Sequence, residues 1–161
     1  MDLAQNQPDD VERIVVGVDG SDSSIAALRR GARFAEALHA RLEAISVWHY
    51  PAEFGGYVTA EWSPEGDARA VLDDTARTVF GDSPPDWFIP MVHEGSAALV
   101  LIDASKGAEM LIVGSRGHGG FVGLLLGSVS ARCAEYAHCP VLVMHDAERT
   151  AASTATMDAV A

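Results

Sequence analysis

Met110-Leu-Ile-Val113, continuing into Gly114-Ser-Arg-Gly117-His-Gly-Gly-Phe-Val-Gly-Leu-Leu-Leu-Gly127-Ser128-Val129-Ser130, reads as a strand, a glycine-rich loop and the start of a helix. A run of consecutive apolar residues suits a strand buried on both faces, as in parallel sheets. The glycines let the chain turn sharply and approach a ligand closely. The new helix adds unpaired N–H groups and the positive end of its dipole. That combination suits a phosphate. Its spacing is neither the P-loop pattern Gly-x-x-x-x-Gly-Lys-Ser/Thr nor the dinucleotide pattern Gly-x-Gly-x-x-Gly, because Gly117, Gly119, Gly120, Gly123 and Gly127 fall out of register with both.

Outward from this segment, strands and helices alternate. Arg13 to Val18 is a near-continuous β-branched run, and Asp19-Gly-Ser21-Asp-Ser-Ser24 supplies N-cap oxygens for a helix carrying Ile25, Leu28, Ala32, Ala35 and Leu38 at helical spacing. Leu42 to Trp48 suits a second strand, followed by a longer connection with Pro51 and Gly55-Gly56. Ser63-Pro64 marks a helix start, with Ala68, Val71, Leu72, Thr75 and Val79 on one face and an end near Gly81. Asp86 to Val92 is the third strand, and Pro90 places it at an edge because proline cannot donate to a ladder. Ser96 caps a short helix before the strand at Met110. A last helix starts near Ser128 with Val129, Cys133, Tyr136 and Ala137 inward, and Pro140 to Met144 is the fifth strand. The alternation predicts an α/β fold, an open five-stranded parallel sheet with helices on both faces and right-handed crossovers.

With 161 residues, 48% of them hydrophobic, the chain is expected to form one domain over residues 13–145, with mobile tails at 1–12 and 146–161. The formal net charge of −12, with no basic patch, argues against nucleic acid and anionic membranes as partners. The N-terminus has neither a basic nor an apolar leader-like region and no apolar run approaches a bilayer's width, so a cytoplasmic location is expected. Cys133 and Cys139 fit no metal or redox spacing, and the histidines form no ligand pattern, so no protein-held metal is expected. Trp48 and Trp62 are expected to pack under the long connection, with lining a ligand pocket as the alternative.

In open α/β sheets ligands bind beyond the carboxyl ends of the strands, where strand order reverses. Two loops carry suitable residues: Gly17-Val18-Asp19-Gly20-Ser21 and the glycine loop itself. Asp19 suits ribose hydroxyls or a helix N-cap, and Ser128 and Ser130 suit capping and phosphate binding alike.

Gly114-x-x-Gly117, nine residues, then Gly127-Ser128 resembles the ATP-binding signature of the universal stress protein family. Ile14-Val-Val-Gly-Val-Asp19-Gly-Ser21, His93-Glu-Gly95-Ser96 and Cys139-Pro-Val-Leu-Val143 follow that family's order too, so the resemblance covers roughly residues 12 to 145. It implies a Rossmann-like sheet of the adenine nucleotide alpha hydrolase-like type, with strand order 3-2-1-4-5. Strands one and four then lie side by side. The resemblance also implies that Gly17, Val18 and Asp19 contact adenosine and that Val47 meets the adenine edge through its backbone. Gly114 and Gly117 would let the main chain close over the phosphates, Gly127, Ser128, Val129 and Ser130 would bind them, and Val113 belongs to the same nucleotide-binding set. Arg116 and His118 occupy variable positions of the signature and suit positive charge beside a phosphate.

The one lysine, Lys106, lies outside the glycine loop, so a usual means of stabilising charge during phosphoryl transfer is missing. No catalytic group is identified. The expectation is an ATP-binding regulatory or stress-response module, with Mg²⁺ bound through the phosphates and slow or no hydrolysis. The alternatives are a cyclic AMP-binding relative, a slow ATPase, or an interaction scaffold. An apolar edge at 141–143 invites pairing, and family members commonly dimerise there, so a homodimer is expected; the downstream protein partner is not identified.

Overall fold

The structure, a computed structural model, describes residues 11–50, 62–117 and 126–145. The elements follow in the order β1 (Arg13–Gly17), α1 (Asp22–Leu38), β2 (Arg41–Trp48), α2 (Pro64–Phe80), β3 (Phe88–Glu94), α3 (Ala97–Ala104), β4 (Met110–Gly114), α4 (Ser128–Tyr136) and β5 (Val141–Met144). The five strands form one parallel sheet in the order β3-β2-β1-β4-β5, as expected. The tails expected to be mobile lie, but for residues 11 and 12, outside the described residues, as do residues 51–61 of the long connection.

The central strands are apolar on both sides because helices cover both. Ile14 and Val16 of β1 and Ile112 of β4 join Leu28, Ala35 and Leu72 in a core under α1 and α2. Val15, Leu111 and Val113 join Leu101 and Cys133 in a second core under α3 and α4. Ile14, Val15, Val16, Leu111 and Ile112 are fully buried, each side chain removing roughly 1.5–3 kcal/mol of hydrophobic exposure.

Local chemistry sets the helix ends. Ser21 caps α1 by accepting the Ser24 N–H at 3.3 Å, and Ser63 caps α2 by accepting the Gly66 N–H at 3.0 Å, with Pro64 at the first helical position. The helix α1 closes at His39, whose positive φ of 54° forms a left-handed cap with its N–H on the Ala35 carbonyl.

Two helix faces differ from the periodic reading. On α1 the buried line runs through Ala27, Leu28, Gly31 and Ala35, leaving Ile25 half-buried and Leu38 exposed. A Cβ at Gly31 would lie 2.7 Å from Val16 Cγ2 and 2.9 Å from Leu42 Cδ1, so the helix rests on the sheet where its side chains are smallest. On α4, Tyr136 is exposed and Cys133 holds the core position. β3 begins at Phe88 rather than Asp86, after a turn in which the Phe88 N–H meets the Pro85 carbonyl. Pro90 sits at the sheet edge, as its missing donor requires.

Candidate functional site

β1 and β4 are neighbours, yet β1 leads to a helix on one face of the sheet and β4 to a helix on the other. Their carboxyl ends therefore separate, opening a crevice of about 600 Å³, within the usual range for small-molecule sites. Gly17, Val18 and Asp19 come to it from β1, and Val113, Gly114, Arg116 and Gly117 from β4. Gly127, Ser128, Val129 and Ser130 enter from the start of α4, and Val47 from β2. His118 lies outside the described residues.

The two loops are tied to each other. Asp19 Oδ1 accepts the Ser21 N–H at 3.0 Å and the Ser21 hydroxyl at 2.5 Å. Ser21, not Asp19, is therefore the N-cap of α1, and Asp19 lies outside the helix with its side chain on the crevice. The Ser23 hydroxyl donates to the Arg116 carbonyl at 2.6 Å, joining the start of α1 to the loop after β4. Contact is closest at the glycines. A Cβ on Gly114 would strike Ser23 Oγ and lie 2.9 Å from Ser24 N, and one on Gly117 would lie 2.5 Å from Asp19 Oδ2. The Ser23 contact was not legible as a site feature, because Ser23 read in sequence only as a cap oxygen.

One end of the crevice favours an anion. Gly127 is the N-cap of α4 and has no side chain to satisfy the first turn. The Gly127 N–H donates to Ser115 O at 2.7 Å, and the first α-helical bond runs from Ala131 N to Gly127 O. The N–H groups of Ser128, Val129 and Ser130 thus belong to the turn that has no acceptor within the helix, at the positive end of its dipole. The Ser130 hydroxyl donates inward, 3.0 Å from both Ser115 O and Gly127 O, so its backbone N–H is what it offers. Arg116 adds a guanidinium whose Nε is buried and has no hydrogen-bond partner among the described residues. A buried unpaired donor costs roughly 1–3 kcal/mol, a cost that an anion accepting from it would remove.

The other end is apolar and aromatic. Val47, Trp48, Val71 and Leu101 line it, as does Trp62, whose Nε1–H donates to Asp67 Oδ2 at 3.0 Å. Both tryptophans stand in the crevice wall, the alternative to packing under the connection, whose residues 51–61 lie outside the described ones. The signal for Trp62 is its place directly before the Ser63-Pro64 cap: α2 starts at the carboxyl end of the sheet, so the residue before it falls at the mouth. No group of three His, Cys, Asp or Glu side chains among the described residues could hold a metal ion. Cys133 is no nucleophile, because burial pushes its thiol up to about 11.

A doubly wound parallel sheet with a glycine-walled crevice at its switch point, anion-seeking at one end and apolar at the other, defines a small-ligand-binding α/β domain. The chain belongs to the universal stress protein family, whose family profile matches residues 10–145. It is 34% identical over 145 residues to a universal stress protein of Mycobacterium tuberculosis, covering 83% of this chain and 47% of that protein. A universal stress protein of Mycolicibacterium smegmatis is 35% identical over 149 residues, covering 86% and 49%. The chain therefore spans about half the length of these curated relatives. Among solved structures, a universal stress protein in complex with cAMP superposes with a TM-score of 0.65 at 26% identity, over 84% of this chain and 98% of that one. The universal stress protein UspA from Lactobacillus plantarum gives the same TM-score at 21% identity, over 83% and 97%. No described helix is long and apolar enough to cross a membrane.

Proposed function

We propose that this chain is an ATP-binding member of its family, a regulatory or stress-response module that holds the nucleotide and hydrolyses it slowly or not at all. The observation that carries this reading is one anion-seeking end in one crevice: the open first turn of α4 and the Arg116 Nε that has no partner among the described residues, in the crevice that Asp19 also lines. In this reading Ser128, Val129 and Ser130 donate N–H groups to the phosphates, Asp19 accepts from the ribose, and the base lies toward Val47. Gly114 and Gly117 keep the main chain close. In this reading Mg²⁺ is bound through the phosphates. The single lysine, Lys106, pairs with Asp103 at 2.6 Å, so it is engaged elsewhere and supports holding over turnover.

Two features of the molecule extend the reading. β5 ends the sheet with four half-buried residues, which supports a homodimer paired through residues 141–143. The sparse use of cysteine, Cys133 and Cys139 at no metal or redox spacing, suits a cytoplasmic setting. A domain spanning residues 13–145 contains every residue these roles use.

The test is mass spectrometry of nucleotide released from freshly purified protein, followed by calorimetric titration with ATP, ADP and cyclic AMP. ATP is expected both in the released material and as the tightest ligand. A second reading, cyclic AMP as the ligand, is favoured by the 26%-identical solved relative in complex with cAMP. Cyclic AMP binding without an ATP response would establish that second reading and end the first. Rapid single-turnover hydrolysis of ATP would overturn the holding role.

A further inference from the structure

We infer that the Ser46 hydroxyl meets the polar edge of the base and is a specificity-determining residue at the apolar end of the crevice. This rests on the nucleotide reading above and adds a side chain to it. Strand alternation puts Leu42, Ala44 and Ser46 on one face of β2. Leu42 and Ala44 are fully buried there in the core under α1 and α2. Val92, in register with Ser46 on β3, packs against the same core. Position 46 therefore suits an apolar side chain. Serine stands in it instead, 4% exposed and lining the crevice.

Other buried hydroxyls show how the fold treats such a group. Those of Ser23, Ser24, Thr75, Ser105 and Ser130 each donate to a backbone carbonyl, at 2.6 to 3.0 Å. The Ser46 hydroxyl has no hydrogen-bond partner among the described residues. A helical hydroxyl can reach back to a carbonyl three or four residues earlier, whereas β2 runs between β1 and β3 and its carbonyls serve the ladders on either side. Buried polar groups are matched by partners, and for a hydroxyl on a ligand crevice the partner is the ligand. The Val18 N–H donates to the Ile45 carbonyl at 2.8 Å, so the loop that carries Asp19 runs beside this end of β2. With the ribose at Asp19, the six-membered ring of a purine is the part farthest from the sugar and comes to Ser46. A hydroxyl turns to donate or to accept, so Ser46 selects for a polar ring edge without fixing which base carries it.

The experiment titrates the full chain with ATP and with two analogues. Inorganic tripolyphosphate carries the charge without the base, and benzimidazole riboside triphosphate lacks the nitrogens and the amine of the six-membered ring. Wild type is expected to prefer ATP to the benzimidazole nucleotide. Ser46→Ala is expected to weaken ATP by about 3- to 10-fold, the range for one neutral hydrogen bond, and to leave both analogues unchanged. Ser46→Cys keeps the volume with a poor hydrogen-bonding group; it is expected to repeat the pattern and serves if the alanine variant unfolds. Without ligand both variants should melt with wild type, because no hydrogen bond among the described residues is lost. Wild-type protein that binds neither ATP nor tripolyphosphate overturns the nucleotide reading and this inference with it. Wild-type ATP binding that Ser46→Ala leaves unchanged, or an equal loss of ATP and either analogue, or ligand-free melting lowered in both variants, overturns this inference alone.

Discussion

The Ser23 hydroxyl donates to the carbonyl of Arg116 at 2.6 Å, across a sequence separation of 93 residues, and so fixes the loop after β4 against the start of α1. The carbonyl's other serine neighbour, Ser21 Oγ, is 3.2 Å away, but its single proton is directed to Asp19 Oδ1 at 2.5 Å. Ser23→Ala therefore leaves the carbonyl without a good donor in a poorly solvated place. The expected cost is about 1–2 kcal/mol of folding stability, read from chemical denaturation. ATP affinity should fall several-fold because the glycine loop is less well held. Unchanged stability together with unchanged affinity would contradict the tie.

Gly114 and Gly117 separate packing from binding. At Gly114 a methyl group meets Ser23 Oγ and the Ser24 backbone N at 2.9 Å, and backbone cannot swing aside. Gly114→Ala is thus expected to lose about 1–3 kcal/mol of stability through overpacking. At Gly117 the obstacle is Asp19 Oδ2 at 2.5 Å, the end of an exposed side chain. Gly117→Ala should displace that carboxylate, leaving thermal stability within about 0.5 kcal/mol, typical of surface substitutions, while weakening ATP at least tenfold. Paired melting and titration curves check the contrast, which fails if both variants lose stability equally.

Arg116 is expected to trade stability for binding. Its buried Nε has no hydrogen-bond partner among the described residues. Arg116→Met keeps much of the stem's bulk without that donor. The free protein should be as stable as wild type or up to about 1 kcal/mol more so, whereas tripolyphosphate binding should fall tenfold or more and become less sensitive to salt. A variant that loses stability but keeps tripolyphosphate affinity would assign Arg116 to structure instead.

The sheet was legible because each strand declares itself. Unbroken apolar runs at Ile14–Val16 and Leu111–Val113 require burial on both faces, and Pro90 excludes a central place for β3. Strand order came from the resemblance, since periodicity is silent about neighbours. The loop residues were legible for the same reason: Gly114, Gly117, Gly127 and Ser128 sit at fixed spacings. What stayed hidden depends on side chains from different elements meeting. Ser23 touches Arg116 only after β1 and β4 pair, and of the two places the sequence left open for Trp62 the crevice follows only once the crossover sets α2's first turn at its mouth. The buried face of α1 was misjudged at Leu38 because hydrophobic spacing cannot tell that Gly31 is where the helix comes closest.

Cys133 gives the fold an alkaline limit. Its side chain is fully buried under α4, and desolvation raises the thiol from 9.0 to about 11. Below about pH 9 the thiol keeps its proton whether the chain is folded or not, so its contribution there is complete and independent of pH. Between about 9 and 11 the unfolded chain ionises while the folded one does not, so stability falls as pH rises, by roughly 3 kcal/mol across the window. Cys139 is also raised, chiefly by burial, and adds a slope of the same sign. Denaturation midpoints measured from pH 7 to 11 should decline for wild type and be distinctly flatter for Cys133→Ala, with the remaining slope removed by adding Cys139→Ala. At neutral pH an alkylating reagent should label Cys139, which is partly exposed, well before Cys133. Equal slopes in wild type and Cys133→Ala, or Cys133 labelling first in the native state, would show that the thiol is not held neutral by the core.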